Sequence, residues 1–131
     1  MNEVYDIAVA NRNFTDLNPV SCGHQNCEPA HSFGPHIREY YLLHYVTSGY
    51  GTFFRDGVNH RVGPNQIFLI RPHELTTYTA DKQHPWSYIW AGFTGALAAR
   101  LDTLPPVIDC KTNLFHEMLD CEVLKSCREE F

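Results

Sequence analysis

From Tyr40 to Phe93 the hydrophobic residues come in short runs, each closed by glycine, proline or Asp-Gly. The runs are YYLLHYV (40–46), YGTFFR (50–55), VNHRV (58–62), QIFLIR (66–71), LTTYT (75–79) and WSYIWAGF (86–93). β-Branched and aromatic residues dominate them and turn residues separate them, which predicts a succession of short strands forming a β-barrel or sandwich. Asp56-Gly57 is the sharpest local signal, because a two-residue type I′ hairpin turn needs positive φ at both central positions. Gly63-Pro64-Asn65 makes a second turn and Arg71-Pro72-His73-Glu74 a third, with Pro72 ending its strand because it has no N–H for the ladder. In the last run, strand alternation puts Trp86, Tyr88 and Trp90 on one face. Such a face fills a barrel or holds a ligand.

The flanks are patterned differently. An arm around Val4 to Phe14 leads into a Cys, His, Gly and Pro-rich stretch, Pro19 to Pro35, which predicts one or two short edge strands with loops. After Phe93 the period moves from two towards four. ALAARLDTL (96–104) suits a short helix stopped by Pro105-Pro106, and from Thr112 onward Phe115, Leu119, Val123 and Cys127 form an apolar stripe on a second helix. That helix reaches Phe131 without a glycine cap or proline stop, so its stripe is expected to pack on the barrel or on a second copy. The expected division is a barrel with its N-terminal arm over residues 1–105, and the start of a helical dimerisation or linker region over 106–131.

With 131 residues, 44% of them hydrophobic, the chain can bury one real core and is too short for two. Its net charge is -5, with ten Lys and Arg in all and no basic cluster, which removes the footprint of a duplex-binding surface. No stretch reads as a leader or a membrane span, so a cytoplasmic location is expected. Five cysteines, an odd number, point to reduced thiols and away from a disulfide framework.

GHQNC (23–27), HSFGPHIREYYLLHYVTSGYGTF (31–53), the Gly57 turn, GPNQIFLIRP (63–72), Tyr78, Ala80-Asp81 and PWSYIWAGFTG (85–95) together resemble a known family. They are similar to the N-terminal effector-binding domain of AraC-type transcription regulators, close to the branch that controls oligosaccharide and sugar operons. The resemblance implies a mainly β fold, a cupin-like jelly-roll barrel with C-terminal helices, binding a small sugar in its interior. It further implies a homodimer made by the helices, and DNA contact only through a helix-turn-helix domain for which this chain has no residues left. Tyr78 and Trp90 fall where the family carries its ligand-contacting tyrosine and tryptophan. The place of an arginine that grips the sugar in the arabinose-binding member is Gly34, with Arg38 four residues on, and the histidine two before the tryptophan is Tyr88.

The residue types suit this chemistry. One face of a pyranose is C–H bonds that pack on a π face, while its hydroxyls need convergent polar groups. Trp86, Tyr88, Trp90 and Tyr78 could supply the first, with ordinary barrel filling as the alternative, and the resemblance favours the ligand role for Trp90 and Tyr78. Arg38, His44 and Arg71 could supply the second. Arg38 offers a fixed fork of donors, or else a surface ion pair with Glu39. His44 points into the same medium as Leu42 and Val46, as an interior histidine or a ligand contact. The candidate ligand-binding set is Arg38, His44, Tyr78, Tyr88 and Trp90.

Enzymatic alternatives find less support. A metal-dependent cupin isomerase or dioxygenase would need a His-x-His pair, a downstream Glu and a further His, whereas the first strand offers only His44 and Thr76 and Thr77 occupy the later place. Neither a catalytic metal nor a cofactor is expected. Cys22, His24, Cys27 and His31 could close a zinc site, but their C-x4-C spacing is not the usual C-x2-C. No nucleophile elbow, paired carboxylates or phosphate-cradling glycine loop is present.

Overall fold

The computed structural model describes residues 3–9 and 15–129, with the helix from Val123 onward described by its backbone alone. The strands are β1 (Glu3–Ala8), β2 (Asn18–Asn26), β3 (Ser32–Ile37), β4 (Tyr41–Ser48), β5 (Gly51–Arg55), β6 (Val58–Val62), β7 (Gln66–Ile70), β8 (Leu75–Ala80), β9 (Ser87–Thr94) and β10 (Val107–Asp109). A 3-10 helix, Ala96–Thr103, precedes β10, and α1 spans Leu114–Glu129. The strands form two antiparallel sheets, one ordered β1-β2-β9-β4-β7-β10 and the other β3-β8-β5-β6. This is the sandwich that the alternation and the turns predict, with the cupin-like architecture that the resemblance implies.

The six central runs fold as strands within two residues of their expected limits. Asp56 and Gly57 have φ of 51° and 75°, the two left-handed positions of a type I′ turn, and they join β5 to β6 in register Arg55 to Val58. Packing between the sheets is led by Phe53, Val62, Phe68, Ile70, Val46 and Trp86, all fully buried. Phe68 sits at the centre, 5.0 Å from the ring of Phe53 and 5.1 Å from that of Trp86, which is stacked nearly parallel to it.

Two flanking segments depart from expectation. The Pro19 to Pro35 stretch contains a nine-residue strand, β2, that lies inside its sheet between β1 and β9 and not at an edge. Its inward side is small or polar (Ser21, Gly23, Gln25), so it lacks the apolar alternation that marks a core strand, yet its backbone pairs along both sides. β3 does lie at an edge, with the Gly34-Pro35 step interrupting its register against β8. β10 extends the larger sheet beyond the Pro105-Pro106 stop by pairing Val107, Ile108 and Asp109 with β7. Residues 10–14 of the expected arm, and the side chains of Val123, Cys127 and Phe131, lie outside the described residues.

α1 packs on the outer face of the larger sheet. Phe115 stacks on Tyr45 of β4 with centroids 5.2 Å apart and planes 8° from parallel, so the first member of the apolar stripe is spent on the barrel.

Candidate ligand-binding site

The sheets separate at one end, between the edge strands β1 and β3, and leave a cavity of about 370 Å³. Its walls come from β1, β2, β4 and β9 on one side and from β3, β8 and the β3–β4 connection on the other. All five residues of the candidate set, Arg38, His44, Tyr78, Tyr88 and Trp90, line it. Trp86, on the same face of its chain segment, points instead into the packed core, against Phe68. Arg71 lies elsewhere. It follows the end of β7, where it donates to the Leu104 carbonyl at 3.2 Å and faces Glu74 at 3.8 Å, so it is not part of the cavity's polar lining.

Trp90 is held flat by its neighbour in the ladder. Gly23 of β2 pairs with Trp90 of β9, and a Cβ on Gly23 would stand 2.5 Å from the indole Cζ2 and against the Tyr5 carbonyl oxygen. The indole thus rests on bare backbone, edge-on to Tyr88 at 6.3 Å. Tyr88 is in turn edge-on to His44 at 4.8 Å, and His44 stacks on Phe68 at 4.4 Å with planes 4° apart. The floor of the cavity is therefore aromatic and rigid.

Polar groups are spaced around that floor. The Tyr88 hydroxyl donates to Gln25 Oε1 at 3.0 Å, and Gln25 Nε2 donates to His31 Nε2 at 3.3 Å. Arg38 donates through Nη1 to the Tyr40 hydroxyl and through Nη2 to the Tyr78 hydroxyl, both at 3.3 Å, and its guanidinium lies 5.6 Å from the Phe33 centroid. These tyrosine bonds stand in place of the surface ion pair with Glu39. A Cβ on Gly34 would stand 2.5 Å from the Thr76 carbonyl oxygen, so an arginine cannot occupy that position, and Arg38 brings the only guanidinium among the cavity-lining residues described.

His44 is buried, and its Nδ1 has no hydrogen-bond partner. Burial, reinforced by the nearby Arg38 charge, holds its pKa well below the ordinary histidine value, so the ring is neutral. Burial also lifts Tyr78, against the opposing pull of Arg38, and lifts Tyr88 far above the phenolic range. Every tyrosine hydroxyl on the floor keeps its proton. The lining thus combines neutral donors and acceptors, one guanidinium, the Asp6 side chain of β1 and several aromatic rings.

Residues 18–118 match the AraC-like ligand binding domain model. The chain belongs to that family. Among curated relatives, the Msm operon regulatory protein of Streptococcus mutans is 37% identical over 86 residues, which are 66% of this chain and 31% of that protein. The raffinose operon transcriptional regulatory protein RafR of Pediococcus pentosaceus is 32% identical over 101 residues, 74% of this chain and 35% of RafR. The chain spans about a third of the length of these relatives. Among solved structures, a cupin 2 conserved barrel domain protein from Salinispora arenicola aligns with a TM-score of 0.55 at 13% identity, covering 78% of this chain and 83% of that one. The mainly β, cupin-like fold is thus shared with the solved structures, and a regulatory ligand-binding role follows from the family.

The metal chemistry found in cupin enzymes does not fit this lining. His44 is packed against rings on several sides, Thr76 and Thr77 carry no ligating nitrogen, and no group of three His, Cys, Asp or Glu among the described residues could hold an ion. Cys22 and His24 alternate to the opposite side of β2 from Gln25, with Cys22 buried there and its thiol pushed up to about 11, first by burial and then by Glu122 and Asp6. His31 lines the cavity, so Cys22, His24, Cys27 and His31 do not converge.

Gln25, Asp6, Phe33 and Tyr40 also line the cavity and were not anticipated from the sequence.

Proposed function

We propose that this chain is the sugar-sensing part of an AraC-type transcription regulator, with a neutral sugar bound in the cavity between β1 and β3. The observation that carries the reading is the pairing of Trp90, a large ring lying on bare β2 backbone, with uncharged hydrogen-bonding groups around it. A C–H face can stack on the indole while hydroxyls meet Tyr88, Gln25 and His44. The names of the relatives, regulators of the msm and raffinose operons, support an effector of this class.

In this reading β1 reports occupancy. Val4 and Asp6 belong to the cavity wall, so a bound sugar alters what β1 packs against, and only a difference in affinity between two arrangements of that strand can shift their balance. α1 would carry the change to a second copy and to an attached helix-turn-helix domain, through which alone DNA is contacted. The protein's role is regulatory and not enzymatic, within the cytoplasm.

The test is a thermal-shift screen of mono- and oligosaccharides. A sugar at a hundredfold its dissociation constant should stabilise the fold by about 2.7 kcal/mol. A panel of neutral sugars that leaves the unfolding midpoint unmoved at tens of millimolar would refute the proposal.

A further inference from the structure

We propose that the cavity is a two-ring site, in which one pyranose lies against Trp90 at its inner end and the next ring of a linked sugar stacks on Phe33 at the mouth. The inference rests on the reading that the cavity holds a sugar, and it assigns to Phe33 the choice between single and linked rings.

The lining has two aromatic platforms at different depths. At the inner end the half-buried Trp90 lies edge-on to Tyr88 and pairs across the ladder with His44, both of them buried. Phe33 stands on the edge strand β3 and is 40% exposed, although it belongs to the same lining. An exposed phenyl ring is ordinarily mobile, but this one is fixed. It lies parallel to Tyr78 at 5.6 Å and 7°, with the Arg38 guanidinium 5.6 Å from its centroid and His31 edge-on at 6.2 Å.

Each platform has its own hydrogen-bonding groups. The inner one has the Tyr88–Gln25 pair and the unpartnered His44 Nδ1. The outer one has Arg38, bonded to the hydroxyls of Tyr40 and Tyr78, with Asp6 of β1 also in the lining. Because both tyrosine oxygens accept from Arg38, their own protons are left to donate. A single ring placed on Trp90 uses the first set and leaves the second in water, whereas a glycosidically linked second ring meets an apolar face and polar neighbours already in position. The order in which the platforms fill follows from their burial.

Calorimetric titration of the chain with galactose and glucose as single rings, and with melibiose, lactose and raffinose as linked ones, tests this. Wild type should bind at least one linked sugar more tightly than either single ring. Phe33→Ala should remove that advantage, a loss of about three- to tenfold on the scale of one aromatic contact, while single-ring affinity stays within about twofold. Phe33→Tyr should retain the advantage, and unfolding midpoints establish that each variant is folded. The two-ring proposal is overturned if linked sugars bind wild type no better than their single rings, or if a folded Phe33→Ala weakens both kinds equally or neither. Trp90→Phe separates the two levels. If it weakens all sugars while Phe33→Ala changes none, the sugar site stands and the outer platform falls; if no sugar in the panel binds wild type, both fall together.

Discussion

The two ends of the sandwich are built from the same two sheets, yet they pack in opposite ways. At the β5–β6–β7 end, inward positions carry Phe53, Val62, Phe68 and Ile70, and the sheets close on one another. At the β1–β3 end, the inward positions carry Asp6, Ser21, Gly23, Gln25 and His44, and the sheets stay apart around a cavity. Phe68 and Tyr88 join the two, since His44 stacks on Phe68 and meets Tyr88 edge-on. The closed end supplies burial energy, and the open end can therefore keep small and polar side chains that contribute little of it. The difference between the ends is the difference between side chains that fill a core and side chains that line a cavity.

The largest effect should come from the closed end. Phe53→Ala should destabilise the protein by about 3–5 kcal/mol in denaturant unfolding, the range for deleting a buried phenyl group. A loss below about 1 kcal/mol would mean that this end is not the packed one. Next, Gly23→Ala puts a methyl group into the Trp90 ring and the Tyr5 carbonyl, and should cost about 1–3 kcal/mol as an overpacking change. It should also displace the indole, visible as a shift in tryptophan emission, which Phe53→Leu should not produce.

His44 gives a pH test at the junction of the two ends. Its folded pKa is lowered by burial and then by Arg38, so the unfolded chain takes up the proton first. Stability should be undiminished above the ordinary value of 6.5 and fall as the pH drops below it, by up to about 1.4 kcal/mol per unit from this residue. In His44→Asn that component should vanish, and an unchanged slope in the variant would mean that the ring is not held neutral by burial. The smallest effect concerns an exposed turn remote from the cavity. Asp81 accepts from the backbone N–H groups of His84 and Gln83 and from Arg61, which lower its pKa from 3.8 to about 2. Its contribution is present above 3.8 and lost as the pH falls through about 2. Asp81→Asn should thus lower the melting temperature slightly at neutral pH, with the gap closing below pH 2 and sugar affinity unaffected.

The closed end was legible in the sequence because its strands obey simple rules: alternation, β-branched and aromatic content, and turns such as Asp56-Gly57 that permit one geometry. β2 was not legible as an interior strand, because a wall that leaves room for a ligand is made of Gly, Ser and Gln, residues that individually favour loops. β10 is three residues long and follows two prolines, too short to show a period. Within the site, Tyr78, Tyr88, Trp90, Arg38 and His44 could be named from alternation and resemblance together. Phe33, Tyr40 and Asp6 reach the cavity only because β1 and β3 end up as facing edges, a long-range relation that local spacing does not carry. Arg71 was misplaced for the same reason: its strand's end turns towards Leu104 and Glu74 at a separate pocket.

If the open end is the sugar site, Trp90 lies against the ligand while Trp86 stays in the core. The chain has two tryptophans, so protein labelled with 5-fluorotryptophan should give two fluorine resonances, assigned by losing one in Trp90→Phe. Titration with the tightest-binding sugar of the galactose, glucose, melibiose, lactose and raffinose panel should move the Trp90 resonance saturably, at the concentration where calorimetry saturates, and leave Trp86 within a small fraction of that shift. A sugar that binds while Trp90 stays still, or that moves Trp86 alone, would contradict the claim.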